Sequence, residues 1–336
     1  MTRTTAALTT TTTDETHVYT KLLVPLDGSS YSERALPVAL ALARRSAAEI
    51  DLVHIHDLPM VSGPAPRYDT RFDAEMREAM RAELEAVAER LRQETDVPLR
   101  TTFLDGPVAP TLAAYAANHL PPLIVMTTHG RGGLSRLWLG SVADALVRNT
   151  GVPVLLVRGE GEPPTDVAAP VFRHVLVPLD GSERAEAVLE HAVRLGAPRA
   201  ATYTLLTVVA PRLMFARSYP RMRTPPVDQD DLEPRLAEAQ AYLDRVAGEL
   251  RRSGATVATR VMVNLQTAQG ILEAAASEGA DLIALATRGR GAVPRLMLGS
   301  VADKVVRGAE TPVLVIRPMD MEPELAPPGP DEQGGG

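Results

Sequence analysis

The hexapeptide Val-Pro-Leu-Asp-Gly-Ser occurs twice in this chain, at Val24–Ser29 and at Val177–Ser182. A second hexapeptide, Leu-Gly-Ser-Val-Ala-Asp, is also repeated, at Leu139–Asp144 and at Leu298–Asp303. The repeat distance is 153 residues for the first motif and 159 residues for the second. Because this period is far longer than that of a short-repeat solenoid, the sequence predicts two whole domains, the second with about six extra residues between its motifs.

Each copy of the repeat alternates short apolar runs with helical hydrophobic patterns. In the first copy we predict strands at 21–26, 50–56, 99–104, 123–127 and 152–157, with helices at about 30–45, 71–94, 107–118 and 141–149. In the second copy we predict strands at 173–179, 202–209, 256–263, 281–286 and 312–316. Strict alternation favours parallel sheets with right-handed crossovers. The predicted fold class is therefore α/β, with two doubly wound, Rossmann-like domains that carry helices on both faces of each sheet.

Composition shifts along the chain give the domain boundaries. We predict a first domain at 17–158 and a second at 172–318, joined by a proline-containing linker at 159–171. The threonine-rich segment 1–16 and the segment 319–336, which is rich in Pro, Gly and acidic residues, have few large apolar side chains. Since such segments cannot bury a core, we expect both to be disordered tails.

The composition also excludes several function classes. The chain has 336 residues, a formal net charge of −7 and no cysteine, which excludes disulfides, thiol catalysis and thiolate metal sites. No Gly-Lys dipeptide is present, so a Walker A phosphate loop is excluded. The acidic balance argues against non-specific nucleic-acid binding, and no apolar run approaches the roughly 20 residues of a membrane helix. With no secretory signal visible, we expect a cytoplasmic protein.

The repeated motifs fall where a ligand site is expected. In open α/β sheets, ligands bind at the carboxyl ends of the strands, where the strand order reverses. Asp27 and Asp180 end the first predicted strand of each copy, and a glycine-rich loop follows each fourth strand, GRGGLSRLWLGS at 130–141 and GRGAVPRLMLGS at 289–300. Each Asp-Gly pair also fits a simple turn whose carboxylate caps the next helix, and this alternative stays open.

The two loops have the features of an anion site. Their first glycine allows the backbone to leave the strand sharply, and the arginine after it supplies positive charge. The final serine precedes a helical pattern, so we expect it to be the N-cap residue of a helix whose free N–H groups bind an anion. A Gly-Ser pair that only caps a helix is the simpler alternative. These residues are Gly130, Arg131 and Ser141 in the first copy and Gly289, Arg290 and Ser300 in the second.

With these motifs, the chain resembles the universal stress protein family in its tandem two-domain form, over nearly all of the region from Tyr19 to Arg317. The resemblance implies five-stranded parallel sheets of strand order 3-2-1-4-5 in both copies. It also implies the nucleotide loop of the family's ATP-binding branch, which has a G-x-x-G segment, nine residues and a final Gly-Ser. The first glycine of that pattern is replaced here by Thr127 and Ala286.

The resemblance implies a role for each matching residue. Asp27 and Asp180 would contact the adenosine part of ATP, and Ile55 and Val208 would meet adenine through their backbone. When the two copies are aligned with each other, Gly106 after the third strand corresponds to Leu265. The remaining residues, from the fourth strand to the next helix, would hold the phosphates: Thr127, Gly130, Arg131, Gly133, Gly140 and Ser141 in the first copy, and Ala286, Gly289, Arg290, Gly299 and Ser300 in the second.

We therefore expect an ATP-binding regulator or sensor of stress, with Mg²⁺ or Mn²⁺ as an optional companion of the phosphates. Two alternatives remain, an interaction module without nucleotide and a slow ATPase. No residue set clearly positions a water molecule, so we predict no catalytic residues. His54 and His56 alternate on one strand, but the second copy has Thr207 and Val209 there, so we predict no metal site.

The fifth predicted strand of each copy is strongly apolar, VPVLLVR at 152–158 and TPVLVIR at 311–317. In the implied strand order each lies at a sheet edge, and a bare apolar edge favours pairing with another strand. We expect the two fifth strands to pair with each other within the chain. Whether two chains associate further, and with which protein partner, is left open by the sequence.

Overall fold

The structure, a computed structural model, describes residues 19–57, 70–118, 122–128, 139–158, 172–196, 201–213, 227–287 and 299–318. The predicted tails at 1–16 and 319–336 and the predicted linker at 159–171 lie outside these residues. The first copy contains β1 (Lys21–Pro25), α1 (Ser30–Glu33), α2 (Leu36–Ser46), β2 (Glu49–His56), α3 (Thr70–Glu94), β3 (Leu99–Asp105), α4 (Val108–Ala117), β4 (Pro122–Thr127), α5 (Ser141–Asn149) and β5 (Val154–Val157). The second copy contains β6 (His174–Pro178), α6 (Glu183–Glu186), α7 (Val188–Gly196), β7 (Thr202–Val209), α8 (Gln229–Arg252), β8 (Thr256–Val263), α9 (Thr267–Glu278), β9 (Leu282–Ala286), α10 (Ser300–Gly308) and β10 (Val313–Ile316).

Among the described residues, the strands form one ten-stranded sheet of order β3-β2-β1-β4-β5-β10-β9-β6-β7-β8. The ladders within each copy are parallel, from β3-β2 to β4-β5 and from β8-β7 to β9-β10. The order within each copy is the 3-2-1-4-5 order that the resemblance implies. The order therefore reverses between the first and fourth strands of each copy, which is where a ligand crevice is expected.

Helices cover both faces of the sheet and explain why the central strands are apolar on both sides. All six residues of β4 are buried, as are all four residues of β5 and of β10. One apolar cluster joins the sheet to α2, α3, α7 and α8, and a second joins the opposite face to α4, α5, α9 and α10. Each cluster contains residues of both copies. The predicted α/β class, with two Rossmann-like domains, is confirmed.

The predicted helix at 30–45 is wrong in one respect, because the structure has two helices, α1 and α2, in that region. Pro37 lies in the first turn of α2. Proline has no N–H to donate, and its ring clashes with the carbonyl of the residue four positions earlier. The N–H groups of Arg34 and Ala35 instead bond the carbonyls of Tyr31 and Ser32, three residues back, at 3.2 and 3.3 Å. A prolyl ring thus starts a new helix where the hydrophobic pattern alone suggested continuity.

The two copies meet along β5 and β10, which pair antiparallel. Leu155 opposes Leu314, and both side chains have no exposed surface. The pairing gives each apolar fifth strand a neighbour on its outer side, so the ladder continues across the boundary between the copies.

A second contact between the copies lies on the sheet face that carries α2 and α7. The Tyr19 hydroxyl lies 2.6 Å from Nδ1 of His191 in α7, and the two rings stack. Arg45, in α2, donates to the carbonyl of Arg194 at 2.9 Å. In the repeat, Tyr19 of the first copy corresponds to Phe172 of the second, and His191 of the second copy corresponds to Val38 of the first. This polar contact therefore occurs on one side only of the twofold relation between the copies.

The stability of the chain is expected to fall on acidification because of His191. Burial first, and then the charge of Arg194, lower the pKa of this imidazole below its ordinary value, while Glu190 opposes the shift. A histidine whose pKa is lower in the folded state contributes full stability above its unfolded pKa, about 6.5, and loses it as the pH falls from there. Urea unfolding from pH 7.5 to pH 5 should show a falling free energy of unfolding.

The His191→Val variant, which places in α7 the residue type that the first copy has at position 38, is the matched test. It should lose stability less steeply over the same pH interval than the unmodified chain. Equal pH slopes for the two proteins would show that His191 does not carry the effect, since every other titrating group is unchanged between them.

Candidate functional site

The first and fourth strands of each copy separate before they end, which opens a crevice at the carboxyl edge of the sheet. The ladder between β1 and β4 runs only from Lys21 paired with Pro122 to Leu23 paired with Ile124. In the second copy, the ladder between β6 and β9 pairs only Val175 with Leu282 and Leu176 with Ile283. The remaining residues of these strands are not paired across the gap, and Asp27, after β1, and Thr127, at the end of β4, lie at its two sides in the first copy.

Asp27 follows β1 and anchors the start of α1. Its Oδ1 accepts hydrogen bonds from the Ser29 N–H at 2.9 Å and from the Ser29 hydroxyl at 2.5 Å. Ser29 is the N-cap residue of α1, and its Oγ accepts from the Ser32 N–H at 3.3 Å. The turn-and-cap role that the sequence left open for this carboxylate is therefore present. A contact with adenosine stays a prediction.

Asp180 holds the same position in the second copy. Its Oδ1 accepts from the Ser182 N–H at 3.1 Å and from the Ser182 hydroxyl at 2.6 Å, and Ser182 caps α6. Asp27 is half-buried, whereas Asp180 is exposed. The shared geometry means that each carboxylate is held in a fixed orientation at the edge of its crevice.

Ile55, near the end of β2, has its backbone polar groups on the crevice side. The carbonyl of Val53 accepts from the Leu26 N–H at 2.9 Å, whereas the carbonyl of His56 faces the other neighbour and accepts from the Gly106 N–H at 3.0 Å. Since successive backbone groups of a strand point to opposite neighbours, those of Ile55 face the β1 side. The last β1–β2 pair is Pro25 with Val53, so this stretch of β2 lies beyond β1.

The second copy repeats this arrangement at Val208, in β7. The Leu206 carbonyl accepts from the Leu179 N–H at 2.8 Å, and the Val209 carbonyl accepts from the Asn264 N–H at 3.2 Å. By the same alternation, the backbone groups of Val208 face the β6 side. Ile55 and Val208 thus direct their backbone polar groups to the crevice side of β2 and β7.

The alignment of Gly106 with Leu265 is wrong by one residue. Gly106 and Asn264 make the equivalent hydrogen bonds to the ends of β2 and β7, so these two residues correspond. Leu265 is the additional residue before α9, and its side chain is 60% exposed. Gly106 has a φ of 132°, a conformation that glycine accepts and other residues avoid. Because Tyr203 pairs with Val257 as Ile50 pairs with Leu99, five of the six extra residues of the second copy lie between β7 and β8, and the sixth is Leu265.

The loop after the fourth strand is closed at its base in the first copy. Thr127 is the last residue of β4, and the N–H of Thr128 donates to the Val157 carbonyl at 3.2 Å. The Gly140 N–H then donates to the Thr128 carbonyl at 2.7 Å, which joins the two ends of the loop. Ala286 is the last residue of β9. The predicted phosphate-binding residues inside the loops lie outside the described residues: Gly130, Arg131, Gly133, Gly289 and Arg290.

The prediction that Ser141 and Ser300 are N-cap residues is wrong. They are the first residues of α5 and α10, and the caps are Gly140 and Gly299. The Gly140 carbonyl accepts the first helical hydrogen bond, from Asp144 at 2.9 Å, while its own backbone is extended. A cap residue must have this combination, and glycine supplies no side-chain acceptor. The first-turn N–H groups of each helix therefore face the crevice edge without a cap from that residue.

The two cap glycines differ in conformation, and this gives a stability prediction. Gly140 has a φ of −57°, whereas Gly299 has a φ of 82°. An added Cβ at Gly299 meets no atom of the described residues within 4 Å, so strain of the backbone is the effect that opposes a side chain there. We expect Gly299→Ala to destabilise the chain by about 1 kcal/mol more than Gly140→Ala, as measured by urea unfolding. Equal losses would show that the conformation of Gly299 is not a constraint.

The histidine pair of β2 has partners that the sequence did not reveal. His54 and His56 both stack on Phe103 of β3, with ring centroids 5.4 and 6.3 Å apart. His56 Nε2 lies 2.9 Å from Oδ1 of Asp73 in α3, and Asp73 also pairs with Arg77 at 3.6 Å. Within the described parts of the chain, no three His, Asp or Glu side chains are grouped closely enough to hold a metal ion.

Comparison with known proteins identifies the family. The model of the universal stress protein family matches residues 19–158 and 172–317, so the chain belongs to the universal stress protein family and contains two of its domains. A universal stress protein of Mycolicibacterium smegmatis is 28% identical over 305 residues, which cover 88% of this chain and 97% of that protein. One of Methanocaldococcus jannaschii is 32% identical over 143 residues, which cover 42% of this chain and 84% of that protein.

The fold agrees with a solved structure of the same family. The crystal structure of a universal stress protein from Archaeoglobus fulgidus superimposes with a TM-score of 0.68 and 20% identity, and covers 89% of this chain and 98% of that chain. The resemblance seen in the motifs is thus confirmed at the level of family and fold. Of the helices that the structure describes, not one combines the length and the apolar character needed to cross a membrane.

Proposed function

We propose that this tandem universal stress protein binds ATP, at one or both of the crevices between the first and fourth strands, and acts as a regulator or sensor and not as a dedicated catalyst. The observation that carries the proposal is the juxtaposition, in each copy, of an oriented carboxylate, a strand end whose backbone groups face the crevice and a glycine-capped helix N-terminus. The alternative of an interaction module without nucleotide is favoured by one observation, that Thr127 and Ala286 replace the first glycine of the family's nucleotide loop.

The described residues fit an adenine nucleotide. Asp27 and Asp180 would contact the adenosine part, and the backbones of Ile55 and Val208 would meet the base. The first-turn N–H groups of α5 and α10, with Gly140, Ser141, Gly299 and Ser300, would receive the phosphates, because a helix N-terminus carries partial positive charge. The remaining phosphate ligands would come from the loops at 129–138 and 288–298, with Arg131 and Arg290 as the cations.

The chemistry of this set is binding and not turnover. ATP would be the ligand whose binding is sensed, with Mg²⁺ or Mn²⁺ as an optional companion of its phosphates. The carboxylates Asp27 and Asp180 are engaged with the N-cap serines, and a general base would need to reach an attacking water molecule. We accordingly propose no catalytic residue, and slow hydrolysis is at most a side activity.

The domain organisation of the chain and its location in the cell are also proposed. We propose domains at 17–158 and 172–318 that remain paired through β5 and β10 when ATP binds. An acidic chain of this composition, with a net charge of −7, is proposed to act in the cytoplasm without nucleic-acid or membrane partners.

Calorimetric titration of the nucleotide-free chain with ATP, AMP and adenosine tests the proposal. Saturable ATP binding with one or two nucleotides per chain, weakening from ATP to AMP to adenosine, is the expected result, because phosphates contribute charge-assisted hydrogen bonds. Absence of ATP binding would favour the interaction module. Release of phosphate at a steady rate, measured in the same samples, would favour the ATPase alternative.

A further inference from the structure

Four charged side chains of α5 and α10 form one network across the boundary between the two domains. In α5, Arg148 donates to both carboxylate oxygens of Asp144, at 2.7 and 2.8 Å. In α10, Arg307 donates to Asp303 at 3.0 Å. Each arginine also reaches the other domain, Arg148 to Asp303 at 3.3 Å and Arg307 to Asp144 at 3.4 Å. Each carboxylate therefore binds one guanidinium group of its own helix and one guanidinium group of the other domain.

The network fixes how the two helices lie against each other. Asp144 belongs to the first turn of α5 and Arg307 to the last turn of α10, while Asp303 and Arg148 show the reverse arrangement. The helices are therefore antiparallel. Each N-terminal turn, where the proposed phosphate site begins, lies beside the C-terminal turn of the helix from the other domain.

Two further arginines support this packing from the ends of the paired strands. Arg158, which follows β5, donates to the carbonyls of Val306 and Arg307 at the end of α10. Arg317, which follows β10, donates to the Arg148 carbonyl at the end of α5. Each domain thus supplies a cation to the C-terminus of the other domain's helix, where the last carbonyl groups carry partial negative charge.

The position of Asp144 poses an electrostatic problem for a phosphate site. A carboxylate in the first turn stabilises an isolated helix, but it repels an anion that binds at the same N-terminus. Arg148 offsets this charge from within the helix, and Arg307 offsets it from the other domain. The side chains of all four residues are between 19% and 30% exposed, so solvent screens them only in part.

We propose that each phosphate site is completed electrostatically by an arginine of the other domain: Arg307 makes the first site receptive to polyphosphate, and Arg148 does the same for the second. Neither arginine needs to contact the nucleotide, because each acts by neutralising the first-turn aspartate beside the phosphates. Both are positioning residues. The inference rests on the proposed function, and it predicts that a domain separated from its partner binds ATP more weakly than the same domain in the intact chain.

The Arg307→Gln variant tests the first site when it is made in an Asp180→Ala background, in which nucleotide binding at the second site is weakened. We expect the dissociation constant for ATP to rise about threefold to fivefold at low ionic strength, with a smaller rise for AMP and none for adenosine. Adding Asp144→Asn, which removes the repelling charge from the opposite domain, should restore the ATP affinity to within about twofold.

Controls separate this role from simple helix stabilisation. Arg92→Gln removes an arginine that pairs with Glu85 and Glu89 within α3, on the other face of the sheet, and should leave ATP affinity unchanged. Arg307→Lys, which keeps the charge, should retain most of the affinity. An effect of Arg307→Gln that is equal for ATP and adenosine, or that Asp144→Asn does not rescue, would overturn the inference while leaving ATP binding intact. No ATP binding by the unmodified chain would overturn the proposed function, and the inference with it.

Discussion

Replacing Lys21 by Met is expected to destabilise the chain by about 3 kcal/mol, because it removes the cation beside a fully buried carboxylate. Asp51, in β2, has no exposed surface, and its Oδ2 lies 3.3 Å from the Lys21 Nζ. Within the described residues, Oδ1 of Asp51 has no hydrogen-bond partner. Without Lys21, the charge of Asp51 would be compensated mainly by a single hydroxyl.

That hydroxyl belongs to Tyr115 of α4, which donates to Asp51 Oδ2 at 2.6 Å. Burial first, and then the neighbouring Asp51, raise the pKa of Tyr115, so it stays protonated and able to donate at neutral pH. The second domain has no buried carboxylate at the matching position. There, His174 Nε2 lies 2.8 Å from Oγ1 of Thr204. A polar pair without a buried carboxylate is therefore compatible with this place in the fold.

The control for Lys21→Met is the double variant Lys21→Met, Asp51→Asn, which removes the charge that has lost its partner. The double variant should recover most of the lost stability, because a neutral amide is far less costly to bury than a carboxylate. The measurement is the free energy of unfolding in urea for all three proteins. A loss below about 1 kcal/mol for the single variant, or an equal loss for the double variant, would contradict a buried ion pair at this position.

Gly140→Asp is expected to weaken ATP binding at the first site by at least about tenfold. The change places a carboxylate at the N-cap of α5, beside the helix N-terminus that would receive the phosphates, and like charges at that distance repel. The backbone of Gly140 has a φ of −57°, which an aspartate adopts without strain, so the fold should survive. A tenfold change corresponds to about 1.4 kcal/mol.

Gly140→Ala is the matched control, because it adds a Cβ at the same position without a charge. It should retain most of the ATP affinity, and circular dichroism of both variants should match that of the unmodified chain. Unchanged ATP affinity in Gly140→Asp would show that the N-terminus of α5 is not the phosphate site. An equal loss in both variants would attribute the effect to bulk and not to charge.

The fold could be predicted from the sequence because its determinants are repeated and local. The duplicated motifs defined two domains, and the alternation of apolar runs with helical patterns defined their class. What failed depended on geometry at single residues. Pro37 divided a predicted helix, and glycines instead of serines proved to be the caps of α5 and α10. Leu265 shifted the alignment by one residue, since a repeat offset does not reveal which loop contains each insertion.

The site could be predicted only as far as the motifs reached. Asp27, Asp180 and the ends of β2 and β7 lie around the crevices, because strand order alone brings them there. The pairing of the two fifth strands was predicted, but the side-chain contacts between the domains could not be, since they join residues 148 to 172 positions apart and the sequence does not indicate which of these residues meet. A signal did exist for the charge network, because aspartate and arginine recur four residues apart in α5 and in α10. That spacing has a role within one helix as well, so it did not identify a partner.

Native mass spectrometry of the full chain, before and after incubation with ATP, tests the central claim most directly. The account predicts a species heavier than the bare chain by the mass of one or two adenine nucleotides, and denaturation should release that nucleotide intact for identification. A spectrum that contains only the bare chain, even with ATP in excess, would contradict the claim that these crevices are nucleotide sites.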